Sequence, residues 1–221
     1  MSAPGLDSRA GLRSAAAIAA TVWFFGASFG LVARAAGMGA LAPLVMSATT
    51  FAGSAQFAVT SILGTSASTA AAIAAAVLLN ARYAPISISV APLFDGPRLR
   101  RLVESQLIVD ESWALASRGG GRFDRRILLG AGLLLYAAWV SGTAVGVLAG
   151  DALGDPKDLG LDGAFPALFL ALLVPQLRAP RASVAALAAA GIALALIPVT
   201  PAGVPIVAAG TACLLGLGKR S

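Results

Sequence analysis

A single guanidinium and two polar clusters stand out in an otherwise apolar stretch. From Ala35 to Phe94 the only charged residue is Arg82, and the polar groups gather at Ser47–Phe57 and Asn80–Pro85. In a bilayer a central charge costs roughly 2.5 kcal/mol or more, so it is expected to have a partner or a task. Arg82 offers a planar fork that clamps a carboxylate bidentately or neutralises an acid on another segment. In the first cluster, Gly53 among Thr49, Thr50 and Ser54 lowers helix propensity. The backbone there is expected to open and expose N–H and C=O groups to a zwitterion. Gln56 adds a donor and an acceptor. Pro85 frees the Ala81 carbonyl, so the chain around Asn80 and Arg82 should be distorted. Asp110 and Glu111 are adjacent acids beside an apolar segment. They are candidates for proton coupling or for an ion pair with Arg82.

Each of these groups also has an ordinary reading. Ser, Thr and Gln hydrogen-bond between packed helices as a matter of course. Arg82 is near enough to Phe94 to snorkel to an interface. Asp110 and Glu111 also fit a solvated amphipathic helix on the cytoplasmic surface.

Several chemistries are excluded by what the chain lacks. There is no histidine and one cysteine, Cys213, so Ser-His and Cys-His catalysis, most zinc sites and an intrachain disulfide are out. Lys157 and Lys219 fall in a loop and at the C-terminal end, which leaves no Ser-Lys pair at membrane depth. No phosphate-binding glycine loop ends in Gly-Lys-Ser/Thr, and Gly119–Gly121 reads as a flexible turn. The chain is therefore expected not to be an enzyme, and to hold neither a metal nor a cofactor.

The elements that must position these groups are membrane segments. Hydrophobic residues make up 58% of 221 and charged residues 12%, with a mean hydropathy of +0.85. That composition indicates an all-α polytopic membrane protein forming one integral-membrane domain over 1–221. About seven apolar segments are expected, at 14–33, 40–64, 66–94, 127–150, 164–177, 183–199 and 205–218, some of them broken or re-entrant. The 164–177 segment is short for a bilayer core of about 30 Å. The net charge of +6 reads as topology, not as nucleic-acid binding. Arg118, Arg122, Arg125 and Arg126 mark a cytoplasmic loop, and the aspartates of 151–162 mark an outer one. Both termini then read as cytoplasmic, which requires an even number of crossings. Either Leu102–Ala116 is an inserted eighth segment, placing Arg98, Arg100 and Arg101 outside, or 40–64 is re-entrant and those arginines stay inside.

A faint repeat also appears. Trp23-x-x-Gly26-x-x-x-Gly30 recurs at an offset of 116 as Trp139-x-x-Gly142-x-x-x-Gly146. It suggests halves at 14–117 and 127–218, although alanine- and glycine-rich helices also produce such matches by chance. On either reading the glycines are helix-packing faces.

At the three polar places the chain resembles the AzlC family of branched-chain amino-acid permeases. Phe51-Ala52-Gly53-Ser54-Ala55-Gln56-Phe57 is similar to the family's Phe-Ala-Gly-x-x-Gln-Phe stretch. Asn80-Ala81-Arg82 resembles its Asn-x-Arg element, and Asp110-Glu111-Ser112-Trp113-Ala114 its Asp-Glu-aromatic-Ala region. Tyr83 stands where the family commonly has histidine, which speaks against a histidine relay. The resemblance implies a multi-pass transporter of the cytoplasmic (inner) membrane that exports branched-chain amino acids, proton-coupled, with a small AzlD-type membrane partner. The substrate site would be Thr49, Thr50, Gly53, Ser54, Gln56, Asn80 and Arg82, with Asp110 and Glu111 in coupling or ion pairing. A non-transporting assembly subunit of a larger permease is the alternative, and it would tolerate loss of Arg82.

Overall fold

The computed structural model describes residues 8–64, 68–152, 170, 173, 174, 177, 181–200 and 204–212. Ten α-helices are described: α1 (Ser8–Ala35), α2 (Leu41–Thr49), α3 (Gly53–Gly64), α4 (Thr69–Asn80), α5 (Tyr83–Val90), α6 (Arg98–Ser105), α7 (Asp110–Ala116), α8 (Arg125–Ala152), α9 (Ala182–Leu196) and α10 (Val204–Gly210). Three stretches are long and apolar enough to cross a bilayer: Ala15–Ala35, Thr69–Leu93 and Arg125–Gly150. The chain divides into two compact units, Met1–Gln56 with Asn80–Leu153, and Phe57–Leu79 with Gly154–Ser221.

The first unit is built on α1 and α8, joined through their glycines. A Cβ on Gly26 would meet the Trp139 carbonyl at 2.5 Å, and one on Gly142 would fall on the Trp23 carbonyl. Gly146 packs against Ala27, and Gly150 against Leu31 and Arg34. Contacts advance together along both helices, so α1 and α8 run parallel. Each copy of the Trp-Gly-Gly pattern lies on the other, and the backbones approach as only glycine permits.

Against this pair the chain at 40–64 breaks rather than running through. α2 ends at Thr49, Phe51 has a positive φ of 41°, and α3 starts at Gly53. The Gln56 amide nevertheless donates to Ser47 Oγ at 3.0 Å, across nine residues. A continuous helix would separate those residues by about 13 Å, so the chain turns back on itself at Phe51. The turn faces Tyr136 and Trp139, halfway along the Arg125–Gly150 span.

Residues 102–116 do not form the single helix anticipated from the sequence. α6 stops at Ser105 and α7 starts at Asp110. The Leu107 backbone packs on Gly132, one helical turn nearer the start of α8 than Tyr136. Glu104 and Ser105 therefore share no helical face with Glu111 and Ser112. Buried Ser112 holds the new start, its hydroxyl accepting the Val109 N–H at 3.0 Å. A core of Val90, Ile108, Ala116, Ile127 and Leu128 seats α7 on α8, with Trp113 and Phe123 packed on it. The loop to α8 closes through an Arg118–Asp124 ion pair at 2.9 Å, and Asp124 Oδ1 accepts the Arg126 N–H at 2.9 Å. This is an anionic cap on the N-terminus of α8.

In the second unit Ile62, Ala72 and Ala75 form a small core with Val59, Leu63 and Ala71. Exposed Ile73, Val77, Val184, Leu187 and Leu194 suit a lipid-facing surface, as a water-facing one would not tolerate so many. Apart from Leu170, Leu173, Val174 and Leu177, the 164–177 segment lies outside the described residues. So does the stretch after Ala212.

Candidate functional site

Small polar residues inside the apolar run end up at the chain reversal because they have hydroxyl and amide partners on α8. Ser47 is fully buried. Its hydroxyl oxygen accepts from Gln56 Nε2 at 3.0 Å and from Trp139 Nε1 at 3.1 Å. Both lone pairs are then used, so its proton goes to Thr143 Oγ1 at 2.8 Å. Thr143 in turn donates to the Trp139 carbonyl at 2.9 Å. Gln56 Oε1 accepts the Ala52 N–H at 3.2 Å, inside the break itself. Tyr136 donates to the Ala48 carbonyl at 2.8 Å, and the Trp139 ring lies under Gly53, where a Cβ would meet Cη2 at 2.8 Å. A satisfied buried network of this kind fixes one conformation of an irregular backbone.

Arg82 sits at a second break. Pro85 has no N–H for the Ala81 carbonyl, which instead accepts the Ala84 N–H at 3.1 Å in a tight turn between α4 and α5. The guanidinium lies over the Tyr83 ring, 5.3 Å from its centroid. Its Nη2 donates to Ser54 Oγ at 3.0 Å and to Asp110 Oδ2 at 3.0 Å. One nitrogen thus ties the start of α3 to the start of α7. Arg82 and Asp110 are both nearly half exposed, at 45% and 41%. Close by in sequence, the buried Asn80 Oδ1 has no hydrogen-bond partner among the described residues. The reversal at Phe51 also touches the break between α6 and α7, because Gln106 Nε2 donates to the Thr49 carbonyl at 2.8 Å.

The acids around this junction differ in setting. Loss of water around Glu111 pushes its carboxyl above the ordinary glutamate range, with the neighbouring Asp110 charge adding to the effect. Glu104 is held below that range by hydrogen bonds from Arg100 and Arg125. Asp124 is lowered by its hydrogen bond from Arg118.

Comparison with known proteins decides the relationship. The model of the family described as AzlC protein matches residues 17–153, a stretch that contains both breaks, Arg82 and the acid pair. This chain belongs to the AzlC family. It is 35% identical over 194 residues to an uncharacterized membrane protein of Archaeoglobus fulgidus, covering 84% of this chain and 82% of that one. It is 26% identical over 175 residues to the branched-chain amino acid transport protein AzlC of Bacillus subtilis, covering 78% and 68%. It is 26% identical over 205 residues to the inner membrane protein YgaZ of Escherichia coli, covering 84% and 79%. No solved structure matches the chain.

Within this AzlC chain the structure brings Ser54, Arg82 and Asp110 into direct contact, with Asn80 at the same break. Thr49 and Thr50 are exposed at the end of α2, where the Thr49 hydroxyl donates to the Val45 carbonyl at 2.7 Å. Gly53 lies on the Trp139 ring. Gln56 does not face open space: it is fully buried and both its side-chain heteroatoms are engaged. Glu111 makes no ion pair with Arg82, which is taken by Asp110. Sequence reasoning placed Ser47 at the head of the polar cluster without giving it a role, and it did not assign a site role to Trp139, Thr143, Tyr136 or Gln106. The one signal for any of these last four was the repeated Trp-Gly-Gly pattern, which places Trp139 on the packing face of α8.

Proposed function

We propose that this AzlC-family membrane protein is the larger subunit of a secondary exporter of branched-chain amino acids, coupled to protons and working with a small AzlD-type membrane partner. The observation that carries the reading is the half-exposed Arg82 guanidinium at a helix break, tied to Ser54 and Asp110. A planar cation of this kind suits the carboxylate of an amino acid. Asn80 Oδ1 and the carbonyl end of α2 at Thr49 and Thr50 supply acceptors for the ammonium, and Ser54 supplies a hydroxyl. Gly53 lets the backbone settle on the Trp139 ring, and Gln56 keeps the break in shape from behind. With no nucleotide site in the sequence, the energy must come from an ion gradient, and Asp110 and Glu111 are the acids placed to carry a proton.

The packing also favours one topology. Parallel α1 and α8 start on the same face, so the chain between them makes an odd number of crossings. The reversal at Phe51 makes 40–64 re-entrant, and 69–93 supplies the crossing. Arg98, Arg100 and Arg101 then stay on the cytoplasmic side with the 118–126 arginines, as the charge rule asks. The inner membrane and a cytoplasmic N-terminus follow on this reading.

The test is efflux from cells loaded with a dipeptide that releases valine or isoleucine. Cells carrying this chain and its genomic neighbour should release the amino acid faster than cells with neither. Equal efflux with and without the pair, both proteins being present in the membrane, overturns the proposal.

A further inference from the structure

We propose that α6 (Arg98–Ser105) lies in the membrane interface, with its apolar face against the acyl chains and its free arginines on the phosphates of anionic phospholipids. Leu99, Leu102 and Val103 stand at helical spacing and so share one face. That face covers nothing among the described residues, its three members being 74%, 68% and 63% exposed. The protein holds the opposite face. Glu104 accepts from Arg100 at 2.9 Å within the helix, and from Arg125 at the start of α8. A contact made behind the helix therefore turns its apolar side away from the rest of the first unit.

The level of the helix says what covers that side. Arg125 is the first residue of the Arg125–Gly150 span, and the Thr69–Leu93 span ends just ahead of α6. Between that span and the helix the chain turns at Gly96, with a φ of 99°, and at extended Pro97. One span end is thus bonded to α6 and another leads into it, which sets the helix at the plane where hydrocarbon gives way to headgroups. A short helix with one apolar face and arginines around it is suited to lying in that plane.

Charge then selects the lipid. From Leu93 to Val103 three arginines stand against one acid, Asp95. Arg100 is taken by Glu104, but exposed Arg98 and Arg101 make no ion pair among the described residues. Their stems can follow the apolar surface while each guanidinium reaches a phosphate, which it binds with paired N–H donors. An apolar protein partner would cover the leucines and leave these two cations unanswered. Because α6 lies in the chain between Arg82 and Asp110, lipid held there also steadies the connection between the two members of that ion pair.

The experiment puts a polarity-sensitive fluorophore on Leu102→Cys in a Cys213→Ser background, with the full chain reconstituted in mixed phosphatidylcholine and phosphatidylglycerol bilayers. Acyl chains brominated near the headgroup should quench the probe strongly, and aqueous iodide only weakly. At equal mole fraction, brominated phosphatidylglycerol should quench more than brominated phosphatidylcholine. Arg98→Gln combined with Arg101→Gln should cut that preference several-fold, about fivefold being the share of one arginine at an anionic surface. Added salt should weaken the preference in the parent, and this arm decides if the double variant does not accumulate. Quenching by iodide in place of bromolipid overturns the interfacial placement. Equal quenching by the two lipids, or a preference indifferent to salt and to both arginines, overturns the anionic-lipid role. So does loss of the preference to inorganic phosphate at constant ionic strength, which would make this a site for the free ion. Loss of bromolipid quenching once the genomic neighbour is reconstituted alongside overturns the proposal in favour of a protein partner.

Discussion

At the scale of single residues, Ser47 shows how little polar chemistry is needed to hold an irregular backbone in an apolar bundle. One hydroxyl accepts from an amide and an indole and donates to a threonine. Ser47→Ala removes the acceptor of two donors in a buried place, at about 1–3 kcal/mol each. The variant should show a clearly lower unfolding temperature in detergent, whereas Thr49→Ala, at an exposed position, should not. The acids give a second test. Glu104 and Asp124 are lowered in the folded chain, so the stability they contribute is present above the ordinary carboxylate range. It is lost as pH falls through their folded values. Glu111 is raised, so its contribution has the opposite sign, being present below the ordinary glutamate value and lost as pH rises. Unfolding temperature followed from neutral to acid should drop, and Glu104→Gln should flatten that drop. Arg82 was legible from the sequence because it is alone in an apolar run. Gln56 was legible as important, but its burial behind the break was not, because its partners are on α8 and far away in sequence.

Among the elements, glycine placement dictates what packs on what. α1 and α8 meet where each presents small residues to the other's backbone, and a side chain on Gly146 would fall on the Ala27 carbonyl. Gly146→Leu should therefore destabilise the fold by several degrees or prevent its accumulation, since backbone cannot yield as a side chain can. Gly191, in α9, has nothing within 4 Å. There Gly191→Ala should be neutral or stabilising by up to about 1 kcal/mol, because alanine is the better helix former. Comparison of the two by thermal unfolding checks whether packing or propensity governs. The break at Phe51 was anticipated from Gly53 and its hydroxyl neighbours. The break at Gln106–Val109 was not, because no glycine or proline marks it. It exists because Leu107 finds a glycine, Gly132, to settle on and Ser112 restarts the helix.

For the whole molecule, the apolar composition and the charge clusters were enough to read a helical membrane protein. The crossing number was not, because it depends on which helices run parallel, a property of contacts between residues more than a hundred positions apart. In a Cys213→Ser background, cysteines at 38 and 157 should react with an impermeant reagent outside intact cells, and cysteines at 100 and 120 should react only after permeabilisation. Labelling of 100 from outside would favour an inserted 102–116 segment instead.

The central claim, transport through Arg82, is tested most directly by pH-gradient-driven valine uptake into proteoliposomes holding the chain with its genomic neighbour and no internal valine. The parent should accumulate labelled valine only when the gradient is present. Arg82→Ala and Arg82→Lys, at equal protein incorporation, should both lose at least about tenfold in rate, since lysine keeps the charge but not the planar fork. Parent-like uptake in Arg82→Ala, or gradient-independent accumulation by the parent, would contradict it.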